Sequence, residues 1–181
     1  MHDTKHKEKK KHERRNKSML NKKVEKALND QINAELWSGY LYLSMAAYCE
    51  NKNLVGFAHW LAVQAKEELN HAMRIYRHVI DCSGRATLAP IDKVPTTWKS
   101  PLDIFEAAYN HEVKVTGLIN TLTDIAMKEG DYATTNMLHW FHNEQIEEEA
   151  QTQLIAAKLK LIGTSGPSLL MLDHELGKRE K

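Results

Sequence analysis

Apolar residues recur at spacings of three and four along four long stretches of the chain, with polar and charged residues between them. That period is the mark of amphipathic helices turned toward a shared core. The first stretch runs from Met19 to about Glu50, with Val24, Leu28, Glu35, Tyr42, Met45 and Cys49 along one face. Asn51, Lys52 and Asn53 interrupt it and offer a cap for the second. This second helix is expected from about Leu54 to Cys82, and its seam reads Phe57, Leu61, Glu68, Ile75, Val79, Cys82. Ser83 and Gly84 end it, and Pro90, Pro95 and Pro101 mark an extended connection. Ser100, Pro101 and Asp103 then supply a cap, a proline at the first helical position and a first-turn acid. The third helix carries Phe105, Ala108, Glu112, Val115, Ile119 and Leu122 to an end near Gly130. Asp131 caps the fourth, whose seam reads Met137, Phe141, Glu144, Glu148, Ile155, Leu159 before Gly163. A last apolar run from about Ser168 to Leu176, closed by Gly177, predicts a short fifth helix.

Connection lengths set the topology. The tight links between helices one and two and between three and four make two antiparallel hairpins. The link from two to three is about 17 residues, able to span roughly 56 to 61 Å when extended, against roughly 42 Å for a helix of about 28 residues. The chain can therefore return along the bundle and leave helices two and three parallel. The expected fold is all-α: a four-helix bundle with one long crossover and a short C-terminal helix.

Composition agrees and removes other classes. With 181 residues, 42% hydrophobic and 27% charged, the chain fits one globular domain, and eight Gly with four Pro supply too few turns for an all-β fold. The formal charge of +1 conceals an asymmetry. Residues 1–18 hold eight Lys or Arg against three acids, leaving 17 bases and 21 acids for the rest. Nothing apolar separates Met1 from Lys17, so this stretch lacks the hydrophobic region of an export signal or membrane anchor. It reads as a disordered, solvated extension, and neither a nucleic-acid nor a membrane partner is expected. Residues 19–163 form the bundle, and 164–181 form the last helix and tail. Cys49 and Cys82 match no zinc or redox spacing, and with no export signal a cytoplasmic location is expected.

The informative feature is what interrupts the seams. Each of the four helices puts acid on its inward face, and the heights coincide. Glu35 is 17 residues before Lys52 and Glu68 is 16 after it; Glu112 is 18 before Gly130, and Glu144 and Glu148 are 14 and 18 after it. Several carboxylates converging in an apolar interior would each cost several kcal/mol and repel one another. No Lys or Arg lies in the four seams to offset them, since Lys66, Arg74 and Arg77 fall on another face of the second helix. Protonation is one remedy. Two divalent cations are the better one, because they neutralise about four charges and His71, one turn beyond Glu68, adds a nitrogen donor. The other histidines, His59, His78, His139, His142 and His174, read as surface or packing residues, and His111 is a minor candidate beside Glu112.

A Glu on each of two helices with Glu-x-x-His on a third resembles the ferritin family of helical bundles. The resemblance runs from about Met19 to Leu176, and the strings AELWSGYLY, EELNH, YNHE and WFHNEQIEEE are similar to those of bacterial non-haem ferritins. It implies an iron-storing ferroxidase. Glu35, Glu68 and His71 would hold one iron and Glu68, Glu112 and Glu148 a second, with Gln145 nearby. Glu67, Glu144, Glu147 and Glu148 match a third iron position. Tyr42 and Trp140 would be the aromatic residues that supply an electron during oxidation by oxygen or peroxide. Glu147 and Leu69 stand where bacterioferritins have a second His and a haem-ligating Met, so no haem is expected. The resemblance also implies a homo-oligomeric shell of 24 copies around a ferric oxyhydroxide core, with the fifth helix lining a four-fold contact. Two other readings stay open: a non-storing di-iron oxidase or peroxidase, and a non-enzyme, either a helical interaction protein with fortuitous acids or a DNA-associating assembly using its basic arm.

Overall fold

In the computed structural model, which describes residues 20–180, most of the helices begin where capping side chains stand. Asn21 Oδ1 accepts the Lys23 N–H at 2.8 Å and opens α1 (Lys22–Glu50). Ser100 Oγ accepts from Asp103 at 3.2 Å and opens α3 (Pro101–Lys128). Asp131 Oδ1 accepts from Thr134 at 2.9 Å and opens α4 (Tyr132–Ile162). These bonds satisfy N–H groups that have no partner inside the helix. The second helix, α2 (Val55–Asp81), departs from expectation. Asn53 turns the chain at φ 57°, Leu54 takes the cap position, and no neighbouring side chain bonds the free amides. The acceptor instead comes from α5 (Gly166–Leu176), whose Asp173 Oδ1 takes the Gly56 and Phe57 N–H groups at 2.9 and 3.0 Å. That last helix starts at Gly166 rather than Ser168, with Pro167 in its first turn. Among the described residues there is no strand, and no helix is long and apolar enough to cross a membrane. The basic stretch 1–18 lies outside the described residues.

Side-chain bonds between helices fix their directions. Asn21 reaches Glu129 while Tyr48 reaches Trp98, so α1 and the end of the crossover with α3 run antiparallel. Thr123 meets His142 and Thr116 meets Glu149, so α3 and α4 are antiparallel too. With α1 and α2 joined by a tight turn, α2 and α3 are parallel, as the crossover length allowed. The crossover, residues 82–100, lies along α1. Glu25 and Asn29 bind the backbone of Arg85 and Thr87 at one end, and Ser44 and Tyr48 donate to the carbonyls of Pro95 and Trp98 at the other.

The hydrophobic core is in two parts. One is built around Tyr42, Met45, Phe57, Leu61 and Phe105, the other around Val24, Leu28, Ile75, Ile119 and Phe141. At roughly 1.5 to 3 kcal/mol for each fully buried large side chain, the two clusters hold the bundle on either side of a polar middle. One seam differs from expectation. On α4 a buried line runs through Thr134, Leu138, Phe141, Gln145, Glu148, Thr152, Ile155 and Leu159 in alternating steps of four and three, with Ala156 buried beside it. Met137 and Glu144, expected inward, are only half-buried at the flank. Positions 144 and 145 lie on either side of the line from Phe141 to Glu148, and the bundle axis selects the latter.

Candidate metal centre

Between the two apolar clusters, Glu35 from α1, Glu68 and His71 from α2, Glu112 from α3 and Glu148 from α4 are all buried, with 1% of the surface of Glu35, Glu68 and Glu112 left exposed. Their donor atoms form two groups. One atom each from Glu35, Glu68 and His71 lie within 4.8 Å of one another, as do one each from Glu68, Glu112 and Glu148. Glu68 belongs to both. His71 Nδ1 is 3.5 Å from Glu68 Oε2, and its Nε2 is 3.9 Å from Glu148 Oε1.

A ring of neutral donors surrounds these acids. Gln31 Nε2 donates to Glu35 Oε1 at 2.9 Å. Gln64 Nε2 donates both to Glu68 Oε1 at 2.9 Å and to Glu148 Oε1 at 2.8 Å. Tyr42 donates its hydroxyl to Glu112 Oε1, and Gln145 Nε2 lies 3.3 Å from Glu112 Oε2. What the ring leaves open is more telling. Glu35 Oε2, Glu148 Oε2 and His71 Nδ1 are buried with no hydrogen-bond partner, a costly state for polar atoms out of water. Oxygen-rich donors with one imidazole suit a first-row divalent ion.

Burial is the main reason the acids resist ionisation. It pushes Glu35 and Glu112 from 4.5 up to about 8, with the charge of Glu68 adding to both. Glu68 rises to about 7, where burial outweighs the stabilising bond from Gln64. Glu148 is raised well above the ordinary range by burial and by Glu68 and Glu112. Tyr42, raised by burial and by the acids, stays a phenol that can only donate to an ionised carboxylate. Without ions the cluster holds protons near neutrality, and a cation binding there would have to displace them.

The other expected residues divide. Gln145 is buried against Glu112, with its amide nitrogen facing that carboxylate. Trp140 stands edge-on to the His71 ring at 5.3 Å, with the Arg74 guanidinium 4.0 Å from its centroid. Glu67, Glu144 and Glu147 fall in neither three-donor group among the described residues. Glu144 is half-buried, not in the seam, and Glu147 is exposed. The charges of both nonetheless raise Glu67, after its burial, so the three share one neighbourhood. His111 is turned away: its Nε2 pairs with Ser38 Oγ at 2.8 Å, and its ring packs 5.2 Å from Trp37. His78 and His142 bond Thr134 and Thr123, in keeping with packing roles. Three neighbours of the centre, Gln31, Gln64 and Arg179, were not expected from the sequence. Gln64 follows Leu61 by three residues and is itself in the seam's line, a signal that only a search for amides would have used. Arg179, near the chain end, bonds Gln64 and Glu67 and had no periodic signal at all.

A family model for the ferritin-like domain matches residues 25–162. The bacterial non-heme ferritin of Bacteroides fragilis strain 638R is 44% identical over 161 residues, spanning 89% of this chain and all of that relative. A protein of the same description from Campylobacter jejuni is 39% identical over 156 residues, 86% of this chain and 93% of its own length. Among solved structures, an open-pore ferritin from Archaeoglobus fulgidus superposes with a TM-score of 0.89 at 47% identity, covering 91% of this chain and 100% of that one. A buried Glu and Glu-x-x-His centre in a bundle with one long crossover, and a match over nearly the whole of these relatives, lead to one conclusion: the chain belongs to the ferritin family, beside the bacterial non-haem ferritins.

Proposed function

We propose that this protein stores iron. Two Fe(II) ions enter the bundle as substrate, are oxidised to Fe(III) among Glu35, Glu68, His71, Glu112 and Glu148, and move on to a ferric oxyhydroxide mineral inside a hollow shell of identical subunits. The observation that carries this reading is the pair of three-donor groups sharing Glu68, together with the unpartnered buried atoms of Glu35, Glu148 and His71.

In this reading Glu35, Glu68 and His71 hold one ion, Glu68, Glu112 and Glu148 the other, and Glu68 bridges. Each Fe(II) gives up one electron. Oxygen takes both electrons with two protons to become hydrogen peroxide, or hydrogen peroxide takes them with two protons to become two waters. Hard carboxylate oxygens favour the more highly charged product, and the bonds from Gln31, Gln64 and Tyr42 occupy one oxygen each of Glu35, Glu68, Glu148 and Glu112, while Glu35 Oε2 and Glu148 Oε2 are left free for the ions. Fe(III) then hydrolyses, releasing three protons for each FeO(OH) formed. Tyr42 and Trp140 are the aromatic groups placed to lend an electron. Glu67, Glu144 and Glu147 with Glu148 would make a third position on the way out.

Assembly into a shell, with 24 copies as the family pattern, is supported by large apolar side chains facing outward at the far end of the bundle: Leu161 is 89% exposed and Met171 75%. Residues 19–163 would be the iron-oxidising unit and 164–181 its packing appendage. Two free, buried thiols fit the reducing cytoplasm. Anaerobic Fe(II) soaking of crystals with anomalous maps tests occupancy and assembly together. Aerobic loading of hundreds of irons per assembly supports storage; saturation at two per chain defeats it in favour of a non-storing oxidase. Unchanged Fe(II) oxidation in a Glu68→Ala, His71→Ala variant would overturn the assignment of the centre.

A further inference from the structure

The chain does not stop at the end of α5. Asp173 seats that helix on the start of α2, and the residues after Gly177 turn along α2 toward the centre. His59 Nε2 donates to the Arg179 backbone carbonyl at 3.0 Å, fixing the path. The Arg179 side chain then reaches past Trp60, its guanidinium carbon 4.1 Å from the ring centroid and its Nη1 3.2 Å from the Trp60 carbonyl. Its Nη2 makes two bonds, to Gln64 Oε1 at 2.9 Å and to Glu67 Oε2 at 2.5 Å. Only 13% of the side chain remains exposed.

Both bonds bear on the centre. An amide has a donor end and an acceptor end, and either can face a given neighbour. With a cation on its oxygen, Gln64 must point its nitrogen at Glu68 and Glu148, which is what it does. The reversed amide would set an oxygen against two carboxylates. Glu67, for its part, is engaged by a positive charge already supplied by the protein. Glu147 and Glu148 lie close enough for their charges to act on the same guanidinium, so an ion settling among Glu67, Glu144 and Glu147 would have to displace Arg179 or lie beside it.

We propose that Arg179 is a positioning residue of the centre, which orients Gln64 toward Glu68 and Glu148 while withholding Glu67 from a third ion. The tail thereby sets the balance between the paired ions and the third position. This rests on the reading of the centre given above.

The test is equilibrium binding of Fe(II), with oxidant excluded, to the full-length assembled protein and to Arg179→Gln and Arg179→Lys. In Arg179→Gln the two-ion class weakens, because Gln64 is free to reverse, while a third class tightens, because Glu67 is released. Each change is about three- to tenfold, the scale of one hydrogen bond or one partly exposed ion pair. Arg179→Lys keeps the charge on Glu67 but loses the forked contact, so its third class returns toward the parent while its two-ion class stays weakened. A tail that merely anchors the last helix would move both classes together or neither, and either result overturns the proposal. A parent protein with an intact two-ion class and unaltered classes in Arg179→Gln sinks this inference alone. A parent with no two-ion class sinks the reading of the centre and this inference with it.

Discussion

The hydroxyl of Tyr42 donates to Oε1 of Glu112, joining α1 to α3 across 70 residues of sequence in a place where both side chains are closed to water. The bond favours the ionised carboxylate and works against the burial that holds Glu112 up at about 8. Tyr42→Phe removes this donor and keeps the ring. Glu112 then gives up its proton less readily, and Fe(II) binding should weaken by about two- to tenfold near neutrality and need a higher pH to saturate. Anaerobic titrations at several pH values would read the displacement; coincident curves for parent and variant would remove Tyr42 from any part in ion binding.

The ion-free protein should lose stability as pH rises. Folded Glu35 and Glu112 keep their protons to about 8 and Glu68 to about 7, whereas the unfolded chain releases them near 4.5. Across that window the folded state binds more protons, so its stability is fully present below 4.5 and is lost progressively toward 8. Thermal unfolding of the metal-free protein should therefore show a falling midpoint, and saturating Zn(II), which cannot be oxidised, should flatten or reverse it. A midpoint that climbs with pH in the absence of ions would contradict the burial of these acids.

Function and stability should part at Glu68. Glu68→Gln takes one ionisable group out of a crowded interior while keeping its shape, and should stabilise the ion-free protein at pH 8 by about 1 to 4 kcal/mol. The same change removes the carboxylate proposed to be shared by both ions, so rapid Fe(II) oxidation should be lost. Denaturant unfolding and stopped-flow oxidation on one preparation check both halves.

Gly56 has no room for a side chain: a Cβ there would stand 1.7 Å from the Asp173 carbonyl oxygen. Gly56→Ala should unseat α5, and Asp173→Ala should weaken it by loss of the cap on α2, at about 1 kcal/mol. Limited proteolysis after Gly163 should accelerate in both variants, more in Gly56→Ala. Equal resistance to the parent would mean that α5 is held by other contacts.

The repeat of three and four was enough to identify four helices, their caps at Ser100 and Asp131, and the acids Glu35, Glu68, Glu112 and Glu148 with His71, because a helix places residues on one face by a rule that operates within a few turns. Counting from tight turns brought those acids to one height, since the rise per residue is constant. The same rule could not separate Glu144 from Gln145, which flank the seam almost equally, and the choice waited on where the bundle axis lies. Nor could it find the Asp173 cap on α2, or the path of Arg179 to Gln64 and Glu67. Those contacts join residues 117, 115 and 112 positions apart. Periodicity within one helix carries no information about them; they exist because the docking of α5 brings the end of the chain back to α2.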